Sequence, residues 1–473
     1  MVIPRTEMVI DPASYVDEQG RVFHWHGRVF RGVSARHASF VASLLEHPTV
    51  RGFQERGMLV EASMVREHAA EGFAFLLEHR KIACANYCFE WTPTMLQDAA
   101  LLTLEMCAEL SESDLTLQDA YPWNIFFDRS RPVFIDFGSI VPTRDDVLWA
   151  PYEQFANFFL LPLYLYSAGL FDLVRCRLSD YLNGVTYAQF FGAAPFALRL
   201  RYPMRYGKLA GSYHLANVVR RMGWEERVRT TMQSSLARVN VRDRRLHFFT
   251  ALRREVAAIA LHPSRSPWSS YYSPDTGSYR DDEFHRKEQI VREVLEACRP
   301  TTVLDAGCNT GAFAALAARS GCRVIAWDTD AASVERCYLE GKPHRRDVLP
   351  AVMDVLNPSP QFGWCGKQFP SAIERCRSEM VFAFALIHHL AVSQRQGFGR
   401  ILDTLDALSS HWVLLEFVDA DDPKVVSLRS RTTRDTSWYT FDGLSRVFAE
   451  RGKRVTHFAP HSPTRRFVLY ETQ

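Results

Sequence analysis

The sequence lacks a surplus of charge of either sign. Its 473 residues contain 56 lysines and arginines against 54 aspartates and glutamates, which leaves a net charge of +2. This balance gives no reason to expect a nucleic acid or an anionic membrane as partner. The N-terminus also lacks a signal peptide, and the most apolar stretch, residues 155–171, is short for a bilayer span and contains Pro162. We therefore expect a cytoplasmic protein that binds neither nucleic acid nor membrane.

Paired cysteines are missing too. The ten cysteines are scattered without a C-x-x-C pair or a Cys/His cluster. This pattern argues against a structural zinc site and against the disulfide framework of a secreted protein. We expect free thiols in a reducing cytosol and no metal site.

The length favours two or three domains. Residues 262–284 are crowded with Ser, Pro, Gly and Tyr, which is typical of a linker. After them, short apolar strands alternate with helices to the end of the chain, which predicts an α/β fold with a doubly wound, Rossmann-like parallel sheet. The predicted domains are thus 1–261, a linker or pocket lid at 262–284, and 285–473.

The stretch "VLDAGCNTG", residues 303–311, predicts a ligand loop that follows a buried strand. It lacks the G-x-G-x-x-G of a dinucleotide site, and its Asp305 would face a pyrophosphate with like charge. A cationic ligand would instead be favoured by about 1 to 4 kcal/mol. S-adenosyl-L-methionine (SAM) carries a sulfonium and an ammonium and matches that sign. Asp328, at the end of the next strand, is placed to accept both ribose hydroxyls, and Asp354, at the end of the third, to accept from the adenine amine.

These residues resemble the class I SAM-dependent methyltransferases over about residues 285–473, with Asn309 where that family usually has glycine. The resemblance implies that Asp305, Gly307 and Gly311 line the methionine end of the cofactor. The cofactor-binding set predicted here is Asp305, Gly307, Asn309, Gly311, Asp328, Asp354, Lys287 and Tyr272. Of these, Lys287 would pair with the methionine carboxylate, and Tyr272, with Tyr271, would pack on SAM; a solvated or packing role is the alternative for all three.

The fourth strand of this domain, "VFAFALIHHL", ends in two histidines. In this architecture that end faces the transferring methyl group, so a neutral imidazole of His388 or His389 would take the proton from an attacking oxygen or nitrogen. The alternative is that neither histidine acts as a base. Glu416, at the end of the fifth strand, is a second catalytic candidate that would bind or orient the acceptor; the alternative for it is a salt-bridged carboxylate.

The N-terminal half carries a different pattern, "TLQDAYPWNIFFDRSRPVFIDFG", residues 116–138. An aspartate, Asp119, is followed five positions later by Asn124 and then by Asp136 in front of Phe-Gly. Together with a strand-rich start and a helical remainder, this resembles the protein-kinase and aminoglycoside-phosphotransferase fold, with a small lobe over about 1–90 and a helical lobe over about 91–261. The resemblance implies a phosphotransfer site at Asp119, Asn124 and Asp136.

Departures from that family are substantial. Leu117 stands where the family has histidine, a glycine-rich phosphate cover is missing, and no lysine precedes Lys81. Arg28 or Arg31 is the available replacement for the phosphate-pairing lysine, although a planar guanidinium is not equivalent to an ammonium. We interpret this half as a degenerate kinase-like domain with a vestigial site, which would shape the acceptor pocket.

The sequence as a whole predicts a SAM-dependent methyltransferase that acts on an oxygen or nitrogen of a small polar metabolite. The stretches "DAYPWNIFF", "NPSPQFGW" and "ALIHHL" resemble bacterial methyltransferases of nodulation and specialised metabolism. Two alternatives stay open: a bifunctional kinase and methyltransferase, and a non-catalytic SAM-binding partner protein. The sequence leaves a homodimer open.

Overall fold

A computed structural model describes residues 2–15, 17–236, 240–261, 266, 268 and 281–472. For residues 232–236 and 281 it describes the backbone only. The chain divides into two compact units. Unit 1 comprises Met1–Asp128, Pro132–His262 and Gly363–Phe369; unit 2 comprises Arg129–Arg131, Pro263–Phe362 and Pro370–Gln473. The functional domain limits given above remain a prediction.

Unit 1 begins with a small antiparallel sheet. Its strands and those beside it are β1 (Val2–Ile3), β2 (Val9–Ile10), β3 (Gly20–Trp25), β4 (Arg28–Val33), β5 (Ala62–Val65), β6 (Ala69–Ala70) and β7 (Phe75–His79). Five of them pair in the order β2-β3-β4-β7-β5. The alternating residues 21–34 predict a small hairpin with Gly27 near its turn, and β3–β4 confirms it. His26 and Gly27, with φ of 47° and 75°, form a two-residue turn that suits the twist of paired strands.

The rest of unit 1 is mainly helical. Its elements are α1 (Ala38–Glu46), α2 (Pro48–Glu55), α3 (Pro93–Ser111), β8 (Leu115–Leu117), β9 (Ile125–Asp128), β10 (Arg131–Phe134), β11 (Ile140–Pro142), α4 (Tyr152–Phe155), α5 (Leu161–Ser167), α6 (Phe171–Leu178), α7 (Tyr187–Ala193), α8 (Phe196–Arg201), α9 (Pro203–Arg221), α10 (Glu225–Leu236) and α11 (Val241–Ala257). The Thr-Pro pair at residues 92 and 93 predicts a helix start, and α3 begins there: the Thr92 side chain accepts from the Met95 N–H, and Pro93 occupies the first turn.

The apolar stretch "IACANYCFEW", residues 82–91, predicts a strand in unit 1, and this prediction is wrong. The structure has a 3-10 turn at Cys88–Glu90 instead. The side chain of Asn86 accepts from the Phe127 N–H and donates to the Phe127 carbonyl, at 3.0 Å each. The amide side chain of Asn86 here makes the backbone hydrogen bonds that a neighbouring strand would make.

The described part of the chain contains no helix with both the length and the apolar character that a membrane span requires.

Unit 2 is built on one seven-stranded sheet. Its elements are α12 (Asp281–Cys298), β12 (Thr302–Ala306), α13 (Ala312–Arg319), β13 (Arg323–Asp328), α14 (Ala331–Gly341), β14 (Val348–Val352), α15 (Ala372–Cys376), β15 (Ser378–Ala383), α16 (Phe398–Leu408), β16 (Ser409–Val418), α17 (Pro423–Arg429), α18 (Phe441–Glu450), β17 (Val455–His457) and β18 (Arg465–Glu471). The strand order is β14-β13-β12-β15-β16-β18-β17, and β18 runs antiparallel to both neighbours. This confirms the Rossmann-like fold.

The sheet of unit 2 brings several loops to one edge. The carboxyl ends of the parallel strands β12 to β16 lie there, and the antiparallel β18 starts there, since Arg465 pairs with Val418. The third strand is shorter than predicted: β14 ends at Val352, two residues before Asp354. It ends because the Asp354 carboxylate accepts from the Leu356 N–H at 2.9 Å and closes a turn.

Candidate functional site

The loop after β12 has a backbone that glycine makes possible. Gly307, Asn309 and Gly311 have φ of 83°, 53° and 80°, in the left-handed region. A Cβ on Gly311 would lie 2.4 Å from the Cys337 sulfur, so a side chain is excluded there. The N–H groups of Gly307 and Cys308 both donate to the Trp327 carbonyl, at 2.8 and 2.9 Å. The loop is therefore held against the end of β13.

Asp328, at that end of β13, organises the loop with both carboxylate oxygens. One accepts from the Asn309 N–H at 2.8 Å and the other from the Asp330 N–H at 2.9 Å. Each oxygen keeps further acceptor capacity for a ligand. Burial raises the pKa of Asp328, although these backbone N–H groups oppose the shift.

Asp305 lies beside it at the end of β12 and is buried. Burial raises its pKa to about 7; the Lys287 ammonium acts against that rise and the Asp328 carboxylate adds to it. Within the described part of the chain, no cationic side chain forms an ion pair with Asp305 or Asp328. Two neighbouring acids thus lie at one edge of the sheet, and no cationic side chain of the described ranges is bound to them.

Asp354 lies at the same edge but in a different setting. It is exposed, and its carboxylate is engaged with the backbone of its own turn. Its predicted contact with adenine remains a prediction.

The two predicted histidines follow β15 on a strained turn, in which Ala385 has φ of 47°. His388 is 2% exposed, and its Nδ1 has no hydrogen-bond partner among the described residues. Burial lowers the pKa of His388 to about 3, so its imidazole is neutral at neutral pH. His389 is half-buried, with its ring centroid 4.2 Å from that of His388, and burial and Lys424 lower its pKa as well.

A tryptophan that sequence reasoning missed lies against this site. The Trp268 carbonyl accepts from the Asn309 side chain at 2.8 Å, and its ring meets the His389 ring edge-on at 5.3 Å. Its presence in an aromatic-rich linker was the available signal. The predicted aromatics of the same linker, Tyr271 and Tyr272, lie outside the described residues.

Lys287 on α12 and Glu416 near the end of β16 form an ion pair with each other, and their predicted cofactor and acceptor roles remain predictions. The Lys287 Nζ is 2.6 Å from one Glu416 oxygen, and the His461 Nε2 is 2.9 Å from the other; all three side chains are fully buried. The lysine and the imidazole keep the pKa of Glu416 below its usual range despite burial. Both carboxylate oxygens are therefore occupied, which corresponds to the salt-bridged alternative for Glu416 and leaves Lys287 paired inside the fold. His461 escaped prediction because its partner lies 45 residues away.

One of the three residues predicted as a phosphotransfer site in unit 1, Asp136, is bound by Arg31. This arginine, on β4, is 3% exposed and donates to Asp136 at 2.7 Å and also to Asp17. Asp136 additionally accepts from the Gly138 N–H at 3.0 Å. Arg28, the other predicted lysine replacement, pairs instead with Glu78 at the surface. An internal guanidinium thus neutralises the aspartate of the Asp-Phe-Gly motif.

The other two residues of this motif lie close by in the chain but make different contacts. Asp119 accepts from the Gln154 side chain at 3.5 Å, and its N–H donates to the Ser139 hydroxyl at 3.2 Å. The Asn124 carbonyl accepts from the Ile135 N–H at 2.8 Å. Burial raises the pKa of both Asp119 and Asp136. A phosphotransfer role for this set remains a prediction.

Comparison with known proteins places the whole chain beside one curated relative. The sequence is 26% identical over 458 residues to nodulation protein NoeA of Rhizobium meliloti (strain 1021), across 95% of this chain and 93% of that protein. The expected similarity to bacterial nodulation proteins is thereby confirmed, and both units take part in it. No protein-family model matches the sequence.

Solved structures offer only distant likenesses. They include magnesium protoporphyrin IX methyltransferase (ChlM) from Synechocystis PCC 6803 with bound SAH, at 13% identity and a TM-score of 0.31 over 43% of this chain and 95% of that one. The N-methyltransferase NodS from Bradyrhizobium japonicum WM9 gives 12% and 0.29 over 40% and 97%. The bifunctional kinase-methyltransferase WbdD gives 16% and 0.29 over 42% and 41%. Scores this low carry no inference about the activity of this chain.

Proposed function

We propose that unit 2 binds SAM and that the protein is a methyltransferase acting on an oxygen or nitrogen of a small polar metabolite. The observation that carries this proposal is the pair Asp305 and Asp328 at neighbouring strand ends, next to a left-handed glycine loop and without an ion pair to any cationic side chain that the structure describes. A carboxylate pair in this setting favours a positively charged ligand over a pyrophosphate.

The residues at this edge fit that cofactor. The left-handed loop Gly307–Gly311 turns the backbone sharply after β12, and glycine at Gly307 and Gly311 would let the backbone approach a ligand closely. Asp305 would face the cationic methionine end, Asp328 would accept the ribose hydroxyls with its remaining lone pairs, and Asp354 would accept from the adenine amine. Trp268 is fixed to the loop through Asn309 and would lie beside the methionine end.

When bound, SAM supplies a methyl group activated by its sulfonium charge. The protein must then hold the acceptor in line and remove its proton. We assign the proton to His388, because its Nδ1 is a buried atom without a partner among the described residues. His389 is the alternative base, packed on Trp268. Glu416, on β16, is ion-paired with Lys287 on α12, and this buried pair would fix the helix against the sheet.

For unit 1 we propose a kinase-like scaffold that has lost phosphotransfer. In chain order its small sheet is arranged 1-2-3-5-4, and the third strand carries Arg31 where a kinase carries its phosphate-pairing lysine. The Arg31 guanidinium already fills the space between Asp17 and Asp136. The contribution of unit 1 to the acceptor pocket remains a prediction.

Calorimetry on the full chain tests the cofactor assignment. We expect S-adenosylhomocysteine to bind one site per chain and magnesium ATP to give no heat. The Asp136→Asn variant, which changes unit 1 alone, serves as the matched control and should keep full affinity. A chain that ignores both SAM and S-adenosylhomocysteine while binding magnesium ATP would overturn the proposal.

The acceptor base is tested by turnover. With labelled SAM and a panel of hydroxylated and aminated metabolites, His388→Ala should lose roughly 100-fold or more in kcat and keep its S-adenosylhomocysteine affinity. His389→Ala is the matched control on the neighbouring residue and should lose much less. Equal activity in the two variants would remove both histidines as the base.

A further inference from the structure

A surface on the helical part of unit 1 has no role in either site. Eight of the exposed large apolar side chains lie within residues 196–228, on α8, α9, the turn after them and α10: Phe196, Leu200, Met204, Leu215, Val218, Met222, Trp224 and Val228. Scattered exposed apolar residues are ordinary, but a concentration of this kind marks a surface that interacts with a partner.

Helix α9 packs on unit 1 through a different set of side chains from the exposed ones. Tyr202, Tyr206 and Tyr213 point inwards and pack on aromatic rings of unit 1, with Leu209 buried between them. Their spacing of four and seven residues is one helical stripe. The apolar side chains of the inner stripe already account for packing onto the unit.

A second apolar stripe lies on the opposite side of the same helix. Met204, Leu215, Val218 and Met222 are spaced by eleven, three and four residues, and Met204 and Leu215 are 87% and 65% exposed. Lys208 and Gly211 fill the places between them. Phe196 and Leu200 on α8 are 68% and 67% exposed as well. The outer stripe and these two residues form what we call the α8–α9 surface.

Basic residues outnumber acidic ones around the α8–α9 surface, although Glu225 and Glu226 follow at the start of α10 and Glu225 pairs with Arg220 at 3.8 Å. Residues 181–224 contain no aspartate or glutamate, and their basic residues are Arg199, Arg201, Arg205, Lys208, Arg220 and Arg221. The near-zero charge of the whole chain hides this local excess. It also argues against a second copy of the chain as the partner, because two such surfaces would meet with like charge.

We propose that the α8–α9 surface docks on an anionic lipid bilayer, lying in the interface without crossing it. Aliphatic and aromatic side chains would enter the boundary between headgroups and acyl chains, while the exposed side chains of Arg199 and Lys208 would meet lipid phosphates. This combination suits a membrane better than a nucleic acid, which offers no apolar phase to Met204 and Leu215. The overall charge balance pointed away from a membrane; the local distribution reverses that expectation for this surface.

The proposal is tested by sedimentation of the full chain with lipid vesicles. Vesicles of phosphatidylcholine with phosphatidylglycerol should carry the protein down, vesicles of phosphatidylcholine alone should not, and raising the salt from about 0.1 to 0.5 M should release it. Binding to neither vesicle, or equal binding to both, would overturn the proposal.

Two variants separate the apolar from the charged contribution. The double variant Met204→Asp with Leu215→Asp should lose binding by more than tenfold. Arg199→Gln with Lys208→Gln, which keeps the apolar stripe, should also lose about tenfold or more, since each basic residue near such a surface contributes roughly fivefold. Val426→Asp, at an exposed aliphatic residue on α17 of unit 2, is the matched control and should bind as the unaltered chain does.

Self-association is the competing outcome. If the chain forms a dimer in analytical ultracentrifugation that Met204→Asp with Leu215→Asp dissolves, and vesicles of either composition leave it in solution, the surface joins two copies and the membrane proposal is wrong. A monomer that binds anionic vesicles, with its circular dichroism unchanged by the substitutions, supports it.

Discussion

The two units each gather aspartates at one place, and they differ in what balances the negative charge. In unit 1 the Arg31 guanidinium, part of the fold itself, lies between Asp17 and Asp136. In unit 2 backbone N–H groups bind Asp328, and no described cationic side chain forms an ion pair with it or with Asp305. A site with an internal counter-charge is complete without a ligand, whereas the other gains from a cationic one.

The same difference separates two sequence motifs, Asp-Phe-Gly in unit 1 and the glycine loop in unit 2. The Asp-Phe-Gly motif keeps its residues, but Asp136 is engaged by a side chain 105 residues away. The glycine loop of unit 2 keeps both its residues and its left-handed backbone. Retention of a motif in sequence is therefore weaker grounds for activity than the partners its side chains have found.

The largest expected effect comes from removing the internal cation of unit 1. Arg31→Met leaves two carboxylates without their counter-charge and should cost about 3 kcal/mol in the free energy of unfolding. Urea unfolding followed by tryptophan fluorescence measures it. Arg28→Met, on the same strand, removes only a surface pair and should cost less than about 1 kcal/mol. Equal losses in the two variants would mean that the buried ion pairs of Arg31 contribute no more to the free energy of unfolding than the surface pair of Arg28.

Next in size is the loss of an uncompensated acid in unit 2. Asp328→Ala removes the acceptor for the Asn309 N–H and the proposed acceptor for the ribose hydroxyls, so S-adenosylhomocysteine affinity should fall by about 30- to 100-fold in calorimetry. Asp354→Ala, at the exposed acid of the same edge, should cost less. Unchanged affinity in Asp328→Ala would contradict the ribose assignment.

The glycine loop offers a smaller and more local effect. Gly311→Ala combines a left-handed backbone with a Cβ only 2.4 Å from the Cys337 sulfur. Gly321→Ala has a similar φ of 90° but open space around the new Cβ. In thermal unfolding we expect Gly311→Ala to be less stable than Gly321→Ala by about 2 kcal/mol. A reversed order would show that packing against Cys337 does not constrain the loop.

The smallest effect is a dependence on pH. Because burial raises the pKa of Asp305 from 3.8 to about 7, the folded protein holds a proton there that the unfolded chain has released, and this contribution to stability falls as pH rises through that window. A cationic ligand favours the carboxylate, so SAM affinity should rise with pH up to about 7, by at most tenfold per unit, and then level off. Calorimetry of Asp305→Asn should give a flatter profile; an unchanged slope would assign the titration to another group.

Local pattern in the sequence was enough for much of unit 2. The alternation of strands and helices predicted the sheet, and "VLDAGCNTG" predicted a glycine loop, because a sharp turn after a buried strand needs particular residues in a row. The end of the third strand was predicted too late: β14 stops before Asp354, because that carboxylate closes its own turn. In unit 1 the β3–β4 hairpin and the start of α3 were predicted for the same local reasons.

Only the tertiary structure decided which charges meet. Lys287 pairs with Glu416 across 129 residues, Arg31 with Asp136 across 105, and no spacing in the chain announces either contact. The outer stripe of α9 was hidden for a related reason, since a helix with apolar residues on both sides does not reveal which side is packed. Sequence by itself determined the turns, strands and acids of the molecule; folding determined which acids received a partner, because long-range pairing depends on how distant elements pack.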